Sequence, residues 1–203
     1  MMKDCETKYR IMNTALELIW RSSYDAVGVG EICRQAKVNK GSFYHFFPSK
    51  EDLAVAALQE NWRHIQPVLD QIFSPQKEPV QRLMDYCDHS YQMQAEKAAK
   101  MGFVCGCPYT SVGAEQCGQS DKIRETAQQL LDKVRTYFAS AVRDAQNAGA
   151  VSAGSAEAKA RELFTFYLGT LTRARIYNDL TCIKQLKQDF RQLLGLSGET
   201  VRR

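Results

Sequence analysis

Three observations on the sequence predict an all-α fold. Apolar residues recur at helical spacing, first as Ile11, Ala15, Leu18 and Ile19 at i, i+4, i+7 and i+8. No strand-like alternation bounded by hairpin turns occurs anywhere along the chain. Clusters of turn-forming residues separate the periodic segments: "YDAVG" from Tyr24, "SPQKEP" from Ser74, "MGFVCGCP" from Met101 and "NAGAVSAGS" from Asn147.

Taken in order, the first stripe makes a helix that ends near "YDAVG". Val29 to Ala36 is a short helix, "KVN" a tight connection, and Lys40 to Phe47 a second short helix. Ser49 caps the next helix with Asp52 three residues on. Pro67 inside that helix predicts a kink or an early end, because proline lacks the N–H that the helix needs. Cys107 caps a helix that opens on Pro108 and runs to Cys117, stopping at Gly118. Leu130, Val134, Phe138 and Ala141 form one later stripe; Ala160, Leu163, Phe164, Tyr167, Leu168 and Leu171 form another. About nine helices are expected in all.

At 203 residues, 25% charged and 44% apolar, the chain is long enough to bury a core without a metal or disulfide staple. Residues 1–50 hold eight Lys and Arg against five Asp and Glu, so most of the net +4 lies there. The opening "MMKDCETKYR" has no leader-like apolar region, and no apolar run reaches the roughly 18 residues needed to cross a bilayer. A cytoplasmic protein with no membrane partner is expected. Seven cysteines in such a chain read as reduced thiols rather than a disulfide framework.

Two short helices joined by about three residues form a helix-turn-helix, whose second helix lies in the major groove of DNA. The aromatic cluster of "VNKGSFYHFFPSKEDL" then divides by face. Phe43 and Phe47, four apart, pack on Ile32 and Ala36. Ser42, Tyr44 and His45, with Lys40 and Lys50, make a polar cationic edge for phosphates and base edges. Gly41 lets the backbone approach a sugar-phosphate strand and aims amides at it. The competing reading is a plain aromatic core segment of a helical bundle.

The stretch "VGEICRQAKVNKGSFYHFFPSKEDL" closely resembles the DNA-binding signature of the TetR family of bacterial transcriptional repressors, over about Lys8 to Ala57. The resemblance implies a DNA-binding head at residues 1–50 and an effector-binding and dimerisation domain at 51–203. It implies a homodimer on a palindromic, double-stranded operator, released by an effector, with no cofactor. Ser42, Tyr44 and His45 match the family's DNA-facing positions, Lys40 and Lys50 its backbone-contacting lysines, and Phe43 and Phe47 its head core. Two departures stand out. Lys37 occupies a turn position usually held by Gly, so the backbone there avoids strain or tolerates a left-handed conformation. Gly28 or Val29 replaces the Thr or Ser that often opens the second helix, at a capping cost of about 1 kcal/mol. The helices near Ser120–Gly149 and Ser155–Asn178 are expected to form the dimer interface, where Ala160, Gly169 and Thr170 permit close approach.

In "GFVCGCPYTSVGAEQCG" Cys107 stands at a helix N-terminus, where a thiolate is stabilised, and is the candidate effector thiol. A continuous helix separates it from Cys117 by roughly 15 Å, beyond the roughly 7 Å reach of a disulfide. Cys105, Cys87, Cys182 or a thiol of a second subunit are the other possible partners. The Gly-Cys with a second Cys ten residues on resembles the electrophile-responsive N-ethylmaleimide reductase repressor branch of the family, and Arg175 is a candidate base beside the thiol. Cys33, Cys87, Cys117 and Cys182 read alternatively as small apolar groups between helices. Cys105, Cys107 and Cys117 with His89 offer soft metal ligands as a further alternative, although the C-x-C spacing stands without a second paired motif. A reversible small-molecule pocket lined by Phe103, Tyr109, Tyr137, Phe166 and Tyr167 is the third. Nothing resembling a catalytic constellation surrounds His45, His64 or His89, so no enzyme is expected.

Overall fold

Helices account for every regular element in the computed structural model, which describes residues 2–196. They are α1 (Met2–Arg21), α2 (Val29–Gln35), α3 (Lys40–Phe46), α4 (Lys50–Ile72), α5 (Pro79–Met101), α6 (Pro108–Glu115), α7 (Asp121–Asn147), α8 (Ala156–Tyr177) and α9 (Thr181–Leu193). Among the described residues there is no strand. No described helix is long and apolar enough to cross a membrane, and no disulfide joins any of the seven cysteines. Met1 and the last seven residues of the range 51–203 lie outside the described residues.

The chain packs as two compact units, one built from residues up to 66 together with 107–132, the other from 67–106 together with 133 onward. α4 therefore contributes to both, and it continues through Pro67 to Ile72 rather than ending early. The first unit takes α6 and the start of α7 from far along the chain, so its limits differ in kind from a division drawn at residue 50.

In the first unit Ile11, Ala15 and Ile19 of α1 are buried with Ile32, Ala36, Phe43, Phe47 and Leu53. Burying an Ile, Leu or Phe side chain stabilises by roughly 1.5–3 kcal/mol. Arg10 Nε donates to the Ala36 carbonyl at 2.9 Å and ties α1 to the end of α2. The second unit is centred on Phe138, whose ring lies 5.7 Å from Phe73, 5.0 Å from Tyr86, 5.4 Å from Phe164 and 6.0 Å from Phe190. Arg82, 4% exposed, is the charged exception in this interior. Its guanidinium meets Asp144 at 2.6 Å and donates to the Pro75 and Lys77 carbonyls at 3.1 and 2.9 Å, so it satisfies the backbone of the "SPQKEP" turn.

α2 ends in a Schellman motif: Lys37 N–H reaches the Arg34 carbonyl at 3.3 Å and Val38 N–H the Cys33 carbonyl at 3.0 Å. Lys37 adopts φ 54°, so this chain accepts the left-handed conformation at a position where glycine costs nothing. Lys37→Gly is therefore expected to stabilise the protein by about 0.5–1 kcal/mol, the strain relieved less the added freedom of the unfolded chain. A urea midpoint at or below that of the wild type would contradict this. Gly28 is the N-cap of α2 and makes no side-chain cap bond, as expected from the missing hydroxyl.

Candidate nucleic-acid interface and thiol site

α3 starts at Lys40 because Asn39 caps it, its Oδ1 accepting the Ser42 N–H at 2.7 Å. The sequence reading missed this cap, although an Asn just before a helical run is its ordinary signal. The cap bears on Gly41. The Ser42 amide is already satisfied, and a Cβ on Gly41 would come within 3.2 Å of Asn39 Oδ1, so glycine here leaves room for the cap.

Behind this start the faces of α3 separate as the spacing predicts. Phe43 and Phe47 are buried with ring centroids 6.0 Å apart. Lys40, Gly41, Tyr44 and His45 are exposed, Ser42 is half-buried, and Tyr44 shows 54% of its surface. A tyrosine that open, held edge-on against Phe43 at 5.1 Å, is a rigid amphipathic probe. On α2, Arg34 and Gln35 bind Glu31 and hold its carboxyl down to about 2, so the exposed side of α2 is paired with itself.

Lys50 opens α4, whose cap is as predicted: Ser49 Oγ accepts the Asp52 N–H at 3.0 Å and donates to Asp52 Oδ2 at 2.7 Å. Lys50 itself is half-buried, and its Nζ sits 4.0 Å from the centroid of the Tyr24 ring. Burial lowers its pKa, while the charges of Asp25 and Glu115 act the other way.

α6 and the segment after it grip this part of the head through residues that no local pattern marks. Glu115 accepts two backbone N–H bonds, from Tyr24 at 2.8 Å and Asp25 at 3.0 Å. Gln116 donates to Asp25 Oδ1 at 3.3 Å. Ser120 Oγ donates to Glu51, and Lys122 Nζ lies 3.2 Å from Asp52 and 3.6 Å from Glu51. Asn61 donates to the Tyr109 hydroxyl at 2.8 Å.

Cys107 is the N-cap of α6, half-buried, and its carbonyl accepts from Ser111 N at 3.0 Å and Ser111 Oγ at 2.9 Å. α6 ends at Glu115, two residues short of the expected Cys117, because Gln116 to Gln119 turns away from the helix. The axial separation drawn from a continuous helix therefore does not apply. Cys117 is exposed in that turn, so it is not a packing thiol.

In the other unit the run before it is buried and held by side chains. Asn178 Oδ1 accepts the Val104 N–H at 2.8 Å, Arg175 donates to the Cys105 carbonyl at 3.0 Å, and Gln94 makes two bonds to the Gly106 backbone at 2.8 and 3.0 Å. Arg175 thus serves a backbone carbonyl in its own unit. Gly106 is left-handed at φ 72°, a conformation that favours glycine, and a Cβ there would only touch the Leu171 carbonyl and Arg175 at 3.4 Å.

Cys105 is fully buried, with Sγ 3.2 Å from Met101 Sδ. Burial pushes the thiols of Cys87 and Cys33 up. Cys182 is half-buried and donates to the Asp179 carbonyl at 3.3 Å. Among the described residues no three His, Cys, Asp or Glu side chains gather as metal ligands, so the set of Cys105, Cys107, Cys117 and His89 offers no such site. The aromatics named for a pocket are dispersed: Tyr167 is within the core ring cluster, Tyr137 donates its hydroxyl to Asp70, and Phe166 faces outward.

The outward face of α8 is the exposed apolar surface of the second unit. Ile176 and Tyr177 are 75% and 72% exposed, and Phe166 and Gly169 lie on the same side. Beside it, Phe166, Thr170, Arg173, Cys182, Gln185 and Asp189 line a groove of about 420 Å³. Of the three small residues expected to admit a neighbouring helix, Ala160 and Thr170 are buried within their own unit, which leaves Gly169.

Two family descriptions match the chain: "Bacterial regulatory proteins, tetR family" over residues 11–57, and "Tetracyclin repressor-like, C-terminal domain" over residues 79–190. The transcriptional regulator AcuR of Cereibacter sphaeroides is 30% identical over 168 residues, 82% of this chain and 75% of AcuR. The HTH-type transcriptional repressor NemR of Escherichia coli K12 is 25% identical over 173 residues, 84% of this chain and 85% of NemR. A crystal structure of E. coli NemR in its reduced form covers 93% of this chain and 97% of its own, with TM-score 0.78 and 21% identity. The regulatory protein TetR from Rhodobacter sphaeroides has TM-score 0.80 at 28% identity, covering 91% of this chain and 97% of its own.

Proposed function

Because the chain belongs to the tetR family of bacterial regulatory proteins and is a DNA-binding transcription regulator of that type, we propose that it is a cytoplasmic, homodimeric repressor of a palindromic operator. Residues 1–50 are read as the DNA-binding head and 51–203 as the part that receives the effector and makes the dimer; catalysis has no place in this reading. The observation that carries it is the division of α3, with Phe43 and Phe47 sealed in the head while Lys40, Tyr44 and His45 stand in solvent. A major groove admits one helix, and side chains on its open face reach phosphates and base edges. Two such heads about 34 Å apart meet successive grooves, and an effector acts by favouring a different spacing.

Tyr44→Ala tests the assignment. The substitution removes an exposed ring and leaves the core alone, so thermal stability is expected to stay within about 0.5 kcal/mol of the wild type. Affinity for DNA from upstream of its own gene, followed by fluorescence anisotropy, is expected to fall about tenfold or more. Unchanged affinity would remove Tyr44 from the interface.

For the effector we favour a thiol-reactive electrophile or oxidant acting at Cys107. Its place at the head of α6, its partial exposure and the similarity to NemR support this. We place the dimer contact on the outward face of α8, where the apolar surface lies. The exposed positions of α7, among them Lys122, Glu125, Gln129, Asp132, Lys133 and Arg143, are polar and suit water.

A further inference from the structure

We propose that Glu115 is a positioning residue for DNA binding: by holding the turn that carries Tyr24, it sets the ring on which the Lys50 ammonium is seated. The inference rests on the DNA-binding reading above and assigns it a residue far from α3.

Glu115 is the last residue of α6, and its two carboxylate oxygens take the N–H groups of consecutive residues in the turn between α1 and α2. Bonds from backbone amides to a carboxylate are among the stronger ones, and a pair of them fixes direction as well as distance. Gln116 adds a third bond to the same turn through Asp25. The turn in turn presents the Tyr24 ring, and Lys50 Nζ rests 4.0 Å from its centroid.

A lysine side chain has four rotatable bonds and a strongly hydrated head, so a free Lys50 would spread its charge over many rotamers. Seated on a ring at the first residue of α4, it offers that charge at one place. The base of the seat is braced separately by Ser49 with Asp52 and by Lys122 with Asp52. Loss of Glu115 therefore frees the turn and the ring while α4 keeps its own cap.

α6 runs from its Cys107 cap to Glu115, eight residues or about 12 Å of helix. The candidate thiol and the grip on the head thus stand at opposite ends of one rod. A change at the first end has a direct mechanical route to Lys50.

The test is fluorescence anisotropy on a labelled random-sequence duplex of about 30 base pairs, long enough for two half-sites. Binding is measured between about 50 and 200 mM salt for the wild type, Lys50→Ala, Glu115→Gln, Tyr24→Leu and the Glu115→Gln/Lys50→Ala pair. Lys50→Ala is expected to lower the slope of log affinity against log salt by about one. Glu115→Gln and Tyr24→Leu are expected to lower it in the same direction and to weaken binding up to about tenfold. The double variant is expected to bind as Lys50→Ala does, because both act through one cation.

A wild-type slope and affinity for Glu115→Gln would overturn the proposal, as would a loss that adds in full to that of Lys50→Ala. Tyr24→Leu keeps the Glu115 carboxylate and decides the matter if Glu115→Gln does not fold. A wild-type protein that binds no duplex at low salt would overturn the DNA-binding reading itself, a result distinct from normal binding without the Glu115 effect.

Discussion

Ile176→Asp is expected to convert the protein to a monomer at micromolar concentration and to weaken operator binding by about 10²–10⁴-fold, the gain that joining two binding modules ordinarily provides. Ile176 is 75% exposed on α8 beside Tyr177, with Phe166 and Gly169 on the same face. A symmetric dimer brings such a patch against its own copy, so one substitution places two carboxylates in the contact. Each must leave water for an apolar seam, at a cost of several kcal/mol unless it is paired. The head core, centred on Phe43 and Ile32, lies in the other unit and is untouched. Light scattering reads the mass, and anisotropy on upstream DNA reads the affinity. A variant that remains dimeric would move the interface elsewhere on the protein.

The two predictions on α8 and α3 rest on features with different legibility in the sequence. The division of α3 could be read directly, because Phe43 and Phe47 repeat at helical spacing and the polar residues fall between them. The same holds for the Ser49 cap and for the buried stripes of α7 and α8, since a period of 3.6 is a local property. The proposed dimer contact is harder to read. Small residues on α8 suggested close approach, but two of the three face inward, and the exposed apolar side shows only once the inward stripe has been packed.

The grip of Glu115 on the head was not legible at all. It joins residues about 90 positions apart, and neither a glutamate at a helix end nor an amide in a turn announces such a partner. Arg82 is a similar case: an arginine in an amphipathic helix ordinarily points to water, yet here it is 4% exposed and serves carbonyls of the preceding turn. The end of α6 is a third case. Gly118 predicts a stop there, but the helix closes at Glu115, and in the turn that follows Gln116 bonds to Asp25. Long-range polar contacts hold the end of α6 to the turn between α1 and α2, and Cys117 lies beyond that end, in the turn that follows.

Cys107→Ser is expected to abolish the response to a thiol-reactive electrophile while leaving DNA binding by the untreated protein within about twofold of the wild type, since serine is itself a preferred N-cap. In the reaction the Cys107 thiolate adds across the carbon–carbon double bond of N-ethylmaleimide. A carbon–sulfur bond forms, the adjacent carbon takes a proton from water and nothing leaves. Cys105 is fully buried, and burial pushes the thiols of Cys87 and Cys33 up, which makes them poor nucleophiles at neutral pH. Cys107 is half-buried at the start of α6, where the aligned peptide dipoles favour negative charge. A bulky adduct there strains the first turn of the helix whose last residue holds the head. Cys5 and Cys117 are exposed and will also take up the reagent, so uptake alone decides nothing. The informative comparison is release from upstream DNA, with the modified residues mapped by mass. Release of the wild type and retention of Cys107→Ser under equal labelling of Cys5 and Cys117 is the expected result. Release of Cys107→Ser to the same extent would assign the response to another thiol, and retention of both would turn the search to a reversibly bound small molecule.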